Sequence, residues 1–325
     1  MNVVDKLAGS IAHAVLCSIL LCATGCSSTP QPERTDAKPG KEARAAGSDA
    51  TDVLLVNALL RHFVDRNTQQ SLLLVKQAAD RSPDRSDIAW LHAQLCLQTK
   101  GCDAAGPVAR LRKLDPTNGT AWLGALATAV QQDDQASEDQ ILDALSRSKH
   151  FNIYWNTLVS RVAVALSENV AATRGDKLAD PLTRAVNQTV NWISAIAIPE
   201  FQPITDTCNA PRMAQSAIAQ RCALIAAALQ RSDSYIAEGV GLGIAQRLAT
   251  PGTQAAMKVD GRIATARYHR DTAGQLIESQ LDRDKFTREL LKLMNSLPRE
   301  QDVFMAVIRW AGRPTEPAAG QASSR

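Results

Sequence analysis

Four of the five tryptophans in this chain of 325 residues recur at a near-fixed spacing: Trp90, Trp122, Trp155 and Trp192 stand 32, 33 and 37 residues apart. Three of them sit beside small or aliphatic residues, as in Ala89-Trp90-Leu91, Ala121-Trp122-Leu123 and Asn191-Trp192-Ile193. A period between about 20 and 50 residues is the mark of stacked supersecondary units, none of which can bury its apolar face alone. Composition decides what the units are made of. Apolar residues make up 45% of the chain but aromatics only 4%, so the apolar share is mostly Ala and Leu. These lose little side-chain freedom in a helix. Alternating runs of Val, Ile, Thr and aromatics, which would mark strands, are scarce. The expected fold is all-α, built of stacked antiparallel helix pairs, with the tryptophans as core residues.

The junctions sharpen this reading. Leu114-Asp115-Pro116-Thr117-Asn118 precedes Trp122, and Arg81-Ser82-Pro83-Asp84 holds the equivalent place before Trp90. The unit of about 34 residues, with an aromatic early and a proline near its end, resembles the tetratricopeptide repeat (TPR). The resemblance covers about residues 50–150, or three units. It weakens at Ser148-Lys149-His150, which has no proline, and cannot be aligned past Trp192. It implies a TPR-like α-solenoid with a divergent C-terminal helical part. By the same resemblance, the first helix of each unit, around 86–99, 120–132 and 152–167, lines a concave groove that holds a peptide or a partner helix. Asn152 and Asn156 lie four residues apart on one such helix and are candidates for bonding to a peptide backbone, with capping as the other role for Asn152.

Helix signals continue to the C-terminus. Leu55, Leu59 and Phe63 follow Asp52 at helical spacing, and Leu72, Val75 and Ala79 mark a second helix. Ser86 is placed to cap the third and Gly101 to end it. Ser137 with Gln140 resembles a capping box. Asp180-Pro181 reads as a cap followed by proline at the first helical position, with Pro199 as the stop. Later helices are expected at about 212–230, 233–249, 253–281, 284–297 and 300–311. The body therefore divides into repeats over 51–178 and divergent repeats or a helical cap over 179–312, with a disordered tail at 313–325.

The N-terminus supplies an address. Lys6 precedes an apolar run, Ile11 to Ala23, of about 13 residues, shorter than the ~20 that a membrane-spanning helix needs. Ala23-Thr24-Gly25-Cys26 then resembles the lipobox of bacterial lipoproteins, with Ala23 where that family usually has Leu. An ordinary cleaved leader is the alternative. The resemblance implies that residues 1–25 are a signal peptide and that Cys26 is acylated. Ser27 and Ser28 follow, with no Asp, which in that family implies sorting to the outer membrane, facing the periplasm. Residues 26–50, rich in Pro, Gly, Ser and charge, read as a disordered tether reaching about 27 Å. Of seven cysteines, Cys17 and Cys22 would leave with the leader, and four would remain for an oxidising compartment: Cys96, Cys102, Cys208 and Cys222. Three pairings are possible, buried free thiols are the alternative, and the local pairs Cys96–Cys102 and Cys208–Cys222 are preferred. The second pair carries a demand. If a helix ran unbroken from Ala210 through Cys222, Cys208 would lie too far away unless the chain doubled back.

Motifs that carry chemistry are missing from the sequence. It holds no HExxH, no GxSxG and no GxxxxGKS or GxxxxGKT. His62, His92, His150 and His269 have no second His at ligand spacing, so no metal or other cofactor is expected. Gly239-Val240-Gly241-Leu242-Gly243 follows a helical rather than a strand pattern and reads as a close helix contact. The acidic group Asp133, Asp134, Glu138 and Asp139 reads as a solvated helix start, and Arg110, Arg112 and Lys113 as a solvated face or a groove wall. A net charge of +3 without a basic stripe argues against nucleic acid. The expectation is a membrane-anchored, non-enzymatic scaffold that binds an unknown protein or peptide in the cell envelope. The alternatives are an envelope enzyme assembled from distant residues and a purely structural lipoprotein.

Overall fold

The computed structural model describes residues 49–174, 181–280 and 284–317, and these are all-helical, with no strand among them. The leader, Cys26 and all of the tether except Asp49 and Ala50 lie outside the described residues. In chain order the helices are α1 Ala50–Phe63, α2 Thr68–Arg81, α3 Ser86–Leu97, α4 Ala105–Leu114, α5 Leu123–Gln131, α6 Gln135–Ser146, α7 Trp155–Arg174 and α8 Pro181–Ala197. They continue as α9 Gln202–Thr207, α10 Ala210–Met213, α11 Ser216–Leu229, α12 Tyr235–Leu248, α13 Gln254–Gln280, α14 Asp284–Ser296 and α15 Glu300–Trp310. Short 3-10 turns at Gly119–Trp122 and Ile198–Phe201 precede α5 and α9. No helix among the described residues is long and apolar enough to cross a membrane.

Side chains fix the starts. Asp49, Asn67, Asp134 and Ser234 each accept an N–H from the first turn of α1, α2, α6 and α12, satisfying donors that the helix itself leaves open. Two expected caps fall elsewhere. Ser86 is the first residue of α3, behind Arg85, which makes no side-chain cap bond. Ser137 lies inside α6 and donates to its actual cap, Asp134. Gly101 (φ +81°) does not end α3 either; it sits in the following turn, whose left-handed backbone suits glycine.

Connections of a few residues fold each helix back along its predecessor. The pairs α1/α2, α3/α4, α5/α6, α7/α8 and α11/α12 pack in this way. Further contacts bring α1 onto α7, α14 onto α7 and α8, and α11 onto α6. One apolar core runs from Leu55 to Ile308, and the described residues belong to a single compact unit. Trp90, Trp155 and Trp192 are buried, but Trp192 sits mid-way along α8, in the second helix of its pair, where it stacks on Phe63 of α1. Its spacing of 37 reflects a different place in the fold from those of Trp90 and Trp155. At the start of the expected tail, Tyr268 and His269 of α13 donate to the carbonyls of Pro314 and Thr315. Residues 318–325 lie outside the described residues.

The turns between pairs are laced to one another. Asn118 and His150 form an isolated parallel bridge, with Gly119 N–H on His150 O (2.8 Å) and Lys149 N–H on Thr117 O (2.9 Å). A side-chain ladder runs beside it. Asn118 Oδ1 accepts Asn152 N–H (3.0 Å), Asn152 Oδ1 accepts Asp233 N–H (3.1 Å), and Asp233 O accepts Glu300 N–H (2.8 Å). These bonds register the starts of α5, α7, α12 and α15 against each other across more than 180 residues of chain.

Candidate functional site

An open concavity of about 300 Å³ lies among α3, α4, the 3-10 turn and α5. Its lining is largely small and apolar and includes Leu97 and Val108, with polar groups from Gln94, Arg112, Thr120 and Thr128. Leu97 is 42% exposed, unusual for the end of a helix that is otherwise buried nearly all round. It lies directly over Gly124: a Cβ added there would come within 2.7 Å of Leu97 Cδ1. The Cys96–Cys102 disulfide closes the turn immediately beyond Leu97 and so fixes this edge.

Arg112 is the one charged residue of the lining. Its Nε and Nη2 donate to Ala121 O (3.2 and 3.1 Å), and its guanidinium lies 3.6 Å from the centre of the Trp122 ring. That position satisfies both the cation's donors and the ring's negative face. Burial lowers its pKa from the ordinary guanidinium value, and the group remains a cation. The volume matches one or two side chains, at the small end of the range for ligand pockets. Such a lining grips an apolar group and offers a fixed positive charge beside it.

The residues singled out for a groove lie elsewhere. Asn156 is 1% exposed and its Nδ2 donates to Leu297 O (2.8 Å). Asn152 Oδ1 is occupied by Asp233 N–H. Both side chains bind the protein's own backbone rather than facing an open channel. The physical reason is that the expected groove is filled. α3 and the first three turns of α7 are mostly buried, with Asp87, Gln94, Asn156 and Ser160 among the buried residues, and α2, α4 and α8 pack on α3 while α1, α8 and α14 pack on α7.

All four body cysteines are paired, Cys96 with Cys102 (Cα–Cα 5.3 Å) and Cys208 with Cys222 (5.7 Å). The geometric demand on the second pair is met because no continuous helix starts at 210. The short α10 ends at Met213 and α11 begins only at Ser216, so the chain doubles back and brings Cys208 against the second turn of α11.

Other ionisable groups are engaged internally. His150 Nε2 and Tyr154 Oη both bond Asp115 (3.0 and 2.8 Å), the latter from a residue in the left-handed region (φ +56°). Burial raises the Asp115 pKa, but hydrogen bonds from His150 and Tyr154 outweigh it and leave the carboxyl below its ordinary value. Arg85 bridges Asp52 (2.5 Å) and Asp87 (2.6 Å) between α1 and α3. Within the acidic group, Asp134 caps α6, Glu138 holds Arg212 and Thr207, and Asp139 pairs with Arg221. No cluster of three or more His, Cys, Asp or Glu suited to a metal occurs among the described residues. Gly241 takes the close helix contact, since a Cβ there would meet Ala226 O at 2.7 Å.

Sequence reading missed Asn118, Asp233 and Glu300 as organising residues and left Arg112 undecided between surface and groove wall. Only Asn118 carried a signal, as the last residue of the proline turn. Compared with known protein families, curated proteins and solved structures, the chain matches none.

Proposed function

We propose that this protein is an exported, non-enzymatic scaffold, lipid-anchored through Cys26 to the outer membrane, that binds a partner protein in the periplasm. The body is read as a TPR-like array folded shut, so that its binding surface is the outer concavity among α3, α4 and α5. One observation carries the reading. The concavity presents a half-exposed leucine and one fixed cation on a wall of small residues. That wall suits a partner's apolar side chain flanked by a carboxylate. The export part of the reading is supported by the two disulfides, which belong to an oxidising compartment.

A purely structural role is the second reading, favoured by the filling of the groove along α3 and α7. A photo-crosslinking residue at Leu97, with the same residue at the exposed Trp310 as control, separates the two in native envelopes. The scaffold reading expects one partner from Leu97 and not from Trp310. That partner should be lost when Ala125→Arg fills the concavity and reduced when Cys26→Ala removes the anchor. Equal and diffuse crosslinking from both positions would leave the structural role as the better account.

A further inference from the structure

The starts of α7, α12 and α15 meet around two carboxylates. Asp233, 4% exposed, accepts the N–H groups of Ile153 (3.0 Å) and Trp155 (3.3 Å) and so caps α7 from another part of the chain. Glu300 reaches back to accept Tyr235 N–H (2.7 Å) and caps α12. The two acids are joined by Glu300 N–H on Asp233 O. A third carboxylate, Glu238 on α12, accepts Gln301 Nε2 (3.0 Å), which also donates to Ser234 O (3.2 Å). Tyr235 Oη is buried here with no hydrogen-bond partner.

We propose that this three-helix junction is an acid-strengthened latch, tightest when Asp233 and Glu300 are protonated and loosened as both ionise. The charges around it are unequal. Asp233, Glu238 and Glu300 stand against Arg299, whose Nε donates to Ser232 O (3.3 Å), Arg270 on α13, and Arg262, 4.0 Å from Glu238. Arg231 is turned outward to Lys149 O, and from the α7 side His150 is committed to Asp115. Lost hydration therefore dominates over pairing. Burial pushes Asp233 up to about 6, against its backbone N–H bonds to residues 153–155. Glu300 is only partly exposed, and lost hydration with the Asp233 and Glu238 charges pushes it up to about 7, against the Tyr235 N–H bond.

The sign follows from proton linkage. Raised carboxyl pKa values mean that the folded state holds more protons than the unfolded state between about pH 4 and 7. Stability from these groups is full below that window and lost as pH rises through it. From pH 5.5 to 8 the combined effect on opening is about 100-fold, of which about 30-fold belongs to Glu300. His62 and His92, whose pKa values burial lowers, act in the opposite direction on α1 and α3, so the readout must be local.

The test is amide hydrogen exchange of the full chain, corrected for intrinsic rates, at Ile153, Asp233, Tyr235 and Glu300 from pH 5.5 to 8. Wild type is expected to open about 100-fold more readily at pH 8. Glu300→Gln, which keeps an oxygen for Tyr235 N–H, should cut that to a few-fold. A wild-type response below threefold, or an unchanged response in the variant, overturns the latch. Should the variant fold poorly, NMR titration of the wild-type carboxyls decides: midpoints near 6 and 7 support it, and midpoints below 5 for both refute it.

Discussion

Replacing Asn118 by alanine should cost this fold about 3–5 kcal/mol, more than most core truncations of similar size. The side chain is 1% exposed and makes five bonds. Oδ1 accepts Asn152 N–H (3.0 Å), Thr120 N–H (3.1 Å) and Thr120 Oγ–H (3.0 Å), while Nδ2 donates to Asn152 O (2.9 Å) and Tyr154 Oη (3.1 Å). Alanine leaves two main-chain N–H groups unpaired, and each such loss costs roughly 1–3 kcal/mol. The Asn152 carbonyl keeps the Thr120 hydroxyl as a donor (3.3 Å), so it adds little. The Tyr154 hydroxyl loses this amide but keeps its bond to Asp115 (2.8 Å), so it too adds little. The assay is urea unfolding of the Cys26→Ala chain at pH 7, with and without Asn118→Ala, read by circular dichroism. Combining Asn118→Ala with Thr120→Val should cost well under the sum of the two, because they share one network. A loss below 1 kcal/mol would mean that water replaces these bonds freely, and the argument that laced turns register the helix pairs would be wrong.

Other perturbations separate neighbouring mechanisms. Gly241→Ala drives a methyl against the backbone of α11 and should cost about 1–3 kcal/mol, whereas Gly124→Ala meets only the mobile end of Leu97 and should cost under about 1 kcal/mol; thermal melts compare them. Arg85→Met leaves Asp52 and Asp87 buried without their shared cation, for a loss of about 3 kcal/mol or more by denaturant titration, since their side chains are only 8% and 6% exposed. Removing Cys208–Cys222 should cost about 3 kcal/mol and Cys96–Cys102 about 2 kcal/mol, following loop length. Under mild reductant Cys96–Cys102 should open first, because Cys102 is partly exposed whereas Cys208 and Cys222 are both at 0%; alkylation with mass spectrometry gives the order.

Much of the helix layout was legible because it rests on local physics. Apolar spacing and proline stops located α11 to α15 within a few residues at each end, and spacing alone favoured the observed cysteine pairs. What stayed hidden depends on distant partners. Nothing near Asp233 says that its carboxylate caps a helix starting at Trp155, and nothing near Glu300 names Tyr235. Asn156 looked like a groove residue because helical spacing assigns a face without saying what covers it. Its partner, Leu297 O, lies 141 positions away. The concavity was equally invisible: Arg112 reads as surface until Trp122 and Ala121 O are brought beneath it.

On the proposed scaffold reading, the packing around α3 and α7 changes where a partner would act. In an open stack of helix pairs the first helices present a continuous channel, and affinity grows with the number of units engaged. Here α2, α4 and α8 pack on α3, and α1, α8 and α14 pack on α7; a peptide lying along α7 would have to displace one of its neighbours, which would expose Leu158 and Val162 to water. Burying a large apolar side chain is worth about 1.5–3 kcal/mol each, so displacement of even one helix exceeds what a short peptide returns. Binding at the surface avoids that cost. On the proposed reading it therefore falls at Leu97, where a helix end, a disulfide-closed turn and the start of the next pair leave a hollow that no part of the described chain covers.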